Sequence, residues 1–233
     1  MDKLFSNHIY KFKVPDYKTL NEKLLEQVYE KKNNSPQGII RSNYGGWHSD
    51  AKRNQFLELE EIVLDLYKKE ILKTDKDVIL SSIWANINYK NNYNKIHRHD
   101  GAHFSGVYYA KVPKDSGNLY FINQDTSLTE PYNYFKVGKA DEVEYEAKEG
   151  DLYFFPGGLP HRVGKNLTDE DRISFSWNFN YRDLREVFGE EKEIDDNFAK
   201  SAVDKVVKKT RMVGSWSPYK LKSKHKLSGK KND

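Results

Sequence analysis

Between Val78 and Tyr181 the sequence is a series of short apolar and aromatic segments, separated from one another by Gly, Pro, Asn or Asp, and this series limits the possible folds. The six clearest segments cover residues 78–89, 104–112, 118–123, 142–147, 151–155 and 172–181. Short runs of β-branched and aromatic residues between turn-forming residues are typical of β-strands. Six or more strands at this spacing predict a mainly β fold of the barrel or sandwich type.

The N-terminal third has a different periodicity. A short apolar strand is expected within residues 4–14, and apolar residues then recur at helical spacing in residues 20–28 and again in residues 56–67. Pro36 and Gly38 end the first of these two patterns. We expect two helices that back a sheet, and one or two peripheral helices in the charged segment after Tyr181.

The basic character of the chain belongs to its C-terminal end. The net charge is +4, but residues 208–233 hold nine Lys or Arg and one acidic residue, so the remaining 207 residues carry −4. This composition predicts a flexible basic tail at 208–233 and confines any nucleic-acid binding to it. Residues 1–207 are expected to form one domain, with helical support at 1–75, a β core at 76–181 and a helical extension at 182–207.

Composition also limits the metal chemistry and the location of the protein. The sequence has no cysteine, so a metal would have to be held by His, Asp or Glu. The sequence contains neither a secretory signal nor an apolar run of about 18 residues that would cross a membrane. We expect a cytoplasmic protein without membrane contact.

Three histidines lie within seven residues, at His97, His99 and His103, and a fourth lies at His161. Alternate side chains of a strand share a face, so His97 and His99 can point at one ion, and neutral imidazoles suit iron, zinc or nickel. His161 follows a strand that ends in Pro and two Gly, which predicts a turn that exposes it. An exposed polar loop at 97–100 stays open as an alternative, and His103 is expected to be a loop residue or one that supports the ligands.

Eleven residues after His161, Arg172 begins a strand with Ser174 and Ser176 at alternate positions. A guanidinium offers a planar fork of donors, and a serine hydroxyl on the same strand face adds another. The pair therefore suits a carboxylate, although Arg172 taken alone could be an ordinary surface residue at the end of a strand.

Four segments, in chain order, resemble a family of 2-oxoglutarate/Fe(II)-dependent oxygenases common in bacterial and phage genomes. They read RSNYGGWHS at 41–49, HRH at 97–99, SGVYYAKVP at 105–113 and SGNLYF at 116–121. The similarity extends over residues 3 to 181, and it implies a double-stranded β-helix, or jelly roll. It also implies a bacterial or phage origin and an oxidoreductase that uses Fe(II), O₂ and 2-oxoglutarate.

The resemblance assigns roles to individual residues. His97 and His161 take the two histidine positions of the metal site. Arg172 with Ser174 takes the site for the distal carboxylate of 2-oxoglutarate, and Tyr109 resembles a tyrosine that helps to bind the same carboxylate, with an aromatic residue that only packs in its strand as the alternative. The segment at 41–49 is expected to be a loop near the pocket mouth, where Trp47 either faces the substrate or packs on the core.

The third metal ligand departs from the superfamily pattern, because His99 stands where an Asp or Glu is usual. We favour His99 for its spacing and keep Asp100, one residue later, as the alternative. The implied reaction is hydroxylation of a small-molecule or peptide substrate with decarboxylation of 2-oxoglutarate to succinate. A cupin-like three-histidine dioxygenase or isomerase that does not use 2-oxoglutarate, or a non-catalytic jelly-roll module, stays open, as does a homodimer.

Overall fold

The computed structural model describes residues 7–123 and 142–188. Within these residues lie eleven strands: β1 (Tyr10–Lys13), β2 (Asn43–Tyr44), β3 (Trp47–His48), β4 (Ser82–Asn88), β5 (Tyr93–His97), β6 (Ala102–Lys111), β7 (Leu119–Ile122), β8 (Glu142–Tyr145), β9 (Asp151–Pro156), β10 (His161–Val163) and β11 (Arg172–Asn180). The helices are α1 (Tyr17–Asn34), α2 (Leu57–Leu66), which continues into a π-helical turn at Tyr67–Leu72, and α3 (Tyr181–Phe188).

The strands form two antiparallel sheets. The larger sheet has the order β1-β9-β6-β11-β4-β3, and the smaller has the order β2-β5-β10-β7-β8. Apart from β3-β4 and β7-β8, neighbours in each sheet are not consecutive in the chain, and from β4 onward the chain passes repeatedly from one sheet to the other. This arrangement confirms the predicted mainly β, double-stranded β-helix fold.

Two hydrophobic clusters hold the layers together. The first fills the space between the larger sheet and the helices, where Leu24 of α1 and Val63 of α2 are fully buried with Trp177 of β11. The second lies between the two sheets and includes Phe121 of β7 and Phe155 of β9. Burial of apolar side chains contributes about 25 cal/mol per Å² of area removed from water, and it fixes the sheets against each other and against the helices.

Strand β11 shows how the sequence alternation sorts residues between these clusters. Ile173, Phe175, Trp177 and Phe179 are fully buried in the helix-facing cluster. The intervening residues of β11 are polar and face the space between the sheets. Side chains alternate between the two faces of a strand, so this single strand separates the core from a polar interior surface.

Gly106 of β6 lies beside Trp177, in register with it on β11. A Cβ at this position would come within 2.3 Å of Trp177 Cζ2 and 2.5 Å of the Tyr153 carbonyl oxygen. Real Cβ atoms do not approach other heavy atoms so closely, so only glycine allows the buried indole to lie against this strand.

Most predicted elements match the observed ones. The expected loop at 41–49 differs, because it contains the two short strands β2 and β3, which pair with β5 and β4. The described residues all belong to one compact unit, Met1–Gly189. The predicted tail at 208–233 and most of the helical extension at 182–207 lie outside the described residues. Among those described, no helix combines the length and apolar character needed to cross a membrane.

Candidate metal and carboxylate site

Three histidines from two strands and one turn converge between the sheets. His97 ends β5 and is in register with His161, which begins β10. Their ring centroids are 4.3 Å apart, and the His99 ring lies 5.2 Å from His97 and 5.1 Å from His161. One ring nitrogen of each of the three histidines lies within 4.8 Å of those of the other two. These side chains can hold a metal ion in common.

Backbone carbonyls fix the tautomers of two of the rings. Nδ1 of His97 lies 2.8 Å from the Lys95 carbonyl oxygen, and Nδ1 of His161 lies 2.9 Å from the Leu159 carbonyl oxygen. A carbonyl only accepts, so each Nδ1 carries the proton and each Nε2 has a free lone pair. Hydrogen bonds of this kind orient histidines that bind metals.

His99 reaches the cluster by a turn. Strand β5 ends at His97, and the backbone N–H of His99 donates to the Gly157 carbonyl oxygen at 2.8 Å. The His99 ring then stacks on Trp84, with the centroids 5.7 Å apart. Its Nε2 lies 3.3 Å from Nε2 of His161, which fits two ligands that each lie about 2.0–2.1 Å from one ion.

Asp100, the alternative third ligand, points away from the cluster. Its side chain is 79% exposed, and its carboxylate pairs with Nε of Arg98 at 2.9 Å. The structure therefore brings His99, and not Asp100, together with the other two histidines. His103 also lies apart, because its Nδ1 forms a 2.7 Å hydrogen bond with the Tyr67 hydroxyl.

Burial keeps the three imidazoles neutral. It lowers the pKa of His97 and of His99, the latter to about 3 with a smaller contribution from His97, and it lowers that of His161 well below the ordinary value of 6.5. Desolvation disfavours the charged form of a buried base. At neutral pH all three rings are in the form that binds a metal ion.

The cluster lines a cavity of about 520 Å³ between the sheets. Its walls combine the three histidines with hydroxyl, amide, apolar and basic side chains. They are Arg41, Ser42, His48, Ala51, Ser82, Trp84, Asn86, Asn94, Lys95, Ile96, His97, Arg98, His99, Gly106, Val107, Leu119, Phe155, His161, Val163, Ser174, Ser176 and Asn178. A cavity of this size accommodates small-molecule ligands.

Arg172 lies on the same face of β11 as Ser174 and Ser176, which line the cavity. Its side chain is almost completely buried, and its Nη1 donates to the carbonyl oxygens of Ser116 at 2.8 Å, and of Gly117 and Gly164 at 3.2 Å. No acidic residue among those described pairs with it. Burial therefore lowers the pKa of the guanidinium to about 10.

Several buried polar atoms around Arg172 also lack partners. Within residues 7–123 and 142–188, its own Nε, the Tyr109 hydroxyl and Oγ of Ser116 form no hydrogen bond. Tyr109 is in register with Ser174 across the sheet, and it affects the electrostatics of Arg172 directly. Buried polar atoms are normally paired, so an unpaired donor group beside a buried cation fits a bound anion.

Gly117 allows the loop to approach the guanidinium. Its φ is +93°, and a Cβ there would meet the Gly164 carbonyl oxygen at 2.3 Å and Nη1 of Arg172 at 2.9 Å. Only glycine combines this backbone conformation with such a close approach. The loop that carries Ser116 and Gly117 is thus shaped around Arg172.

Trp47 and the adjacent His48 have simpler roles. Trp47 packs in the helix-facing core and donates from Nε1 to the Ser35 carbonyl oxygen at 2.8 Å. His48 bonds through Nδ1 to the Ser49 carbonyl oxygen, stacks on Trp84 and lines the cavity. Sequence reasoning missed Trp84, although its alternation with Asn86 along β4 places both on the same face.

Residues 82–178 match the model of a protein family described as "Putative 2OG-Fe(II) oxygenase". This segment contains the three histidines, Tyr109, Arg172 and Ser174, and the family bears the names of the two cofactors expected from the sequence, Fe(II) and 2-oxoglutarate. No curated protein matches the chain.

Solved structures share the fold at low sequence identity. A prolyl-4-hydroxylase of Pseudomonas putida is 16% identical, covers 75% of this chain and 94% of its own, and has a TM-score of 0.50. A prolyl hydroxylase of Trichoplax adhaerens, solved with a peptide fragment of the hypoxia inducible factor, is 12% identical, covers 76% and 86%, and has a TM-score of 0.53.

HygX of Streptomyces hygroscopicus, solved with nickel and 2-oxoglutarate bound, is 11% identical, covers 75% of this chain and 83% of its own, and has a TM-score of 0.52. At these identities the three structures support the fold. The family model covers 97 of the 233 residues, and over residues 82–178 the chain is similar to the 2OG-Fe(II) oxygenases.

Proposed function

We propose that this protein is a dioxygenase that couples hydroxylation of a substrate to decarboxylation of 2-oxoglutarate. The observation that carries the proposal is Arg172, a buried guanidinium without an acidic partner among the described residues, on the strand face that continues into the histidine-lined cavity. A three-histidine enzyme that does not use 2-oxoglutarate would have no need of this costly buried charge.

The residues present fit the two cofactors. His97, His99 and His161 would hold Fe(II), and Arg172, Tyr109 and Ser174 would hold the distal carboxylate of 2-oxoglutarate. When bound, these groups supply the oxidising chemistry: O₂, 2-oxoglutarate and a substrate C–H bond are converted into succinate, CO₂ and a C–OH group. The hard chemistry then belongs to the cofactors, and the protein binds and orients.

The chain contributes a rigid and partly dry site. The carbonyls of Lys95 and Leu159 hold two imidazoles in one tautomer, and the Trp84 ring supports the third. Phe155 and Val107 provide apolar wall between the sheets. Such walls limit access of water to reactive groups.

The test compares metal content and succinate release after addition of Fe(II) and 2-oxoglutarate. We expect the double variant His97→Ala/His161→Ala to lose stoichiometric metal and all succinate release, because two of the three ligands are gone. The control His103→Ala changes a neighbouring histidine outside the cluster and should keep its metal. Iron-loaded protein that releases no succinate above background, with or without candidate substrates, would contradict the proposal.

A further inference from the structure

None of the described residues that line the cavity of the histidine cluster is acidic, although residues 1–207 carry a net charge of −4. Its three Lys and Arg residues are Arg41, Lys95 and Arg98, and the other lining residues that carry polar groups are histidine, tryptophan, serine and asparagine. The described part of the cavity wall thus carries positive charge and no acidic side chain.

Hydrogen bonds bring Arg41 and Lys95 together at the cavity mouth. The backbone N–H of Lys95 donates to the Ser42 carbonyl oxygen at 2.9 Å, and Oγ of Ser42 accepts from the Asn94 amide at 3.1 Å. The backbone N–H of Arg41 donates to Oδ1 of Asn43 at 2.7 Å. The two cations therefore come from adjacent segments whose backbones are held together.

Neither cation is neutralised by an acidic residue of the described ranges. Arg98 differs, because it pairs with Asp100 at 2.9 Å. The Lys95 ammonium lies 5.7 Å from the centre of the exposed Tyr44 ring. The Arg41 guanidinium is close enough to His48 to lower the pKa of that imidazole, after burial as the larger cause. The charge of Arg41 therefore acts on His48, a residue of the cavity lining.

The sum of charges in a cavity that holds Fe(II) and 2-oxoglutarate is also positive, and this step rests on the proposed function. Three neutral imidazoles leave Fe(II) with its charge of +2, and 2-oxoglutarate brings −2. With the +1 of Arg172, the sum of the charges of metal, 2-oxoglutarate and guanidinium is +1. A carboxylate ligand in place of His99 would lower this sum to zero. Arg41 and Lys95 raise the total to +3. A cleft lined by one sign of charge concentrates the opposite ion.

We propose that Arg41 and Lys95 recognise an anionic group of the primary substrate, a carboxylate or a phosphate, and that this oxygenase acts on a polar anionic compound. The anionic group would lie at the mouth, and the carbon to be oxidised would lie further inside, near the histidines. The serine and asparagine side chains of the wall, including Asn86 and Asn178, suit the polar remainder of such a substrate.

The test is a calorimetric titration of protein loaded with Fe(II) and 2-oxoglutarate under nitrogen. The anionic probes are glycerol 3-phosphate and N-acetylglutamate amide, and their neutral counterparts are glycerol and N-acetylglutamine amide. We expect at least one anion to bind ten times more tightly than its neutral counterpart. Whichever of the two binds more tightly identifies the phosphate or the acidic side chain as the better substrate model.

In the variant Arg41→Gln/Lys95→Gln, the ratio of the affinities for the anionic and the neutral probe should fall at least tenfold. The affinity of the variant for the anionic probe should also depend much less on salt concentration. Both side chains are exposed, so the fold should be unaffected. The matched control, Lys18→Gln/Lys114→Gln, removes two exposed lysines outside the cavity lining and should keep the preference. Equal binding of anionic and neutral probes, or equal losses in the two double variants, would overturn the inference.

The same titration on metal-free protein separates this inference from the proposed function. Arg41 and Lys95 are charges of the protein itself, and the charges of Fe(II) and 2-oxoglutarate cancel, so the preference for anions should persist there. Failure to bind iron or 2-oxoglutarate would count against the proposed function alone. Loss of the anion preference in protein that does bind both would count against the recognition site alone.

Discussion

Replacing Arg172 with methionine should separate binding of 2-oxoglutarate from stability of the fold. Methionine keeps an unbranched apolar side chain in the buried position and removes the charge. The guanidinium has no acidic partner in the described part of the chain, and its pKa falls from 12.5 to about 10 through burial. Each step of one in pKa corresponds to 1.36 kcal/mol, so holding the charge without a ligand costs about 3 kcal/mol.

A carboxylate placed beside Arg172 would offset this cost. Recovery of about 3 kcal/mol corresponds to roughly a 100-fold change in a dissociation constant. We therefore expect Arg172→Met to weaken binding of 2-oxoglutarate to the metal-loaded protein by about 100-fold. Pyruvate has the same keto acid end but no distal carboxylate, so its affinity should be the same for the variant and the parent protein.

The fold should survive the substitution. The variant removes a buried charge, which is favourable, but leaves the carbonyls of Ser116, Gly117 and Gly164 without this donor, at about 1 kcal/mol each. The two effects oppose each other and are similar in size, so the free energy of unfolding should stay within about 2 kcal/mol of the parent value.

The assay is calorimetry with both keto acids, alongside denaturant unfolding of each protein. A folded variant that binds 2-oxoglutarate within threefold of the parent would refute the assignment of Arg172 to the carboxylate. A parallel loss of affinity for pyruvate and 2-oxoglutarate would show that the substitution acts on the metal site instead.

Three further predictions follow from the site and its support. His99→Ala should lower the metal affinity at least tenfold while Asp100→Ala leaves it unchanged, as measured by metal analysis after dialysis; the reverse result would make Asp100 the ligand. Gly106→Ala should lower the free energy of unfolding by about 2 kcal/mol or more, because its Cβ would overlap the Trp177 ring, and an unchanged melting temperature would contradict that packing. In metal-free protein the contribution of His99 to the free energy of unfolding should be complete above pH 6.5 and fall as the pH drops toward 3, because His99 binds a proton in the unfolded chain more readily than in the folded one. Denaturant unfolding between pH 7.5 and 4 measures this decrease, and a free energy of unfolding that does not change with pH would refute it.

The strands and helices could be read from local patterns because each depends on neighbouring residues. The alternation in β11 and the helical spacing in α1 follow from which side chains must leave water. The short strands β2 and β3 could not be predicted in this way. Two residues have no usable periodicity, and these strands exist because β5 and β4 offer them backbone partners.

Among the histidines, too, some features follow from local sequence and others depend on contacts with distant residues. Spacing and resemblance singled out His97, His99 and His161, but strand alternation was the wrong reason for the position of His99. Strand β5 ends at His97, and a hydrogen bond from the His99 backbone to Gly157, far away in sequence, turns the ring toward its partners. A hydrogen bond between residues so far apart in the chain cannot be predicted from the sequence around His99.

The amino-acid sequence alone sets the residue types of the site, the alternation that makes the sheets, and the family match over residues 82–178. The three-dimensional contacts place Asp100 in solvent, bring three loop carbonyls around Arg172, and put Arg41 and Lys95 at one cavity whose described lining holds no acidic residue. The physical reason is that chemistry and periodicity are local properties of a chain. Burial, pairing and electrostatic surroundings arise from contacts between residues that the sequence keeps far apart.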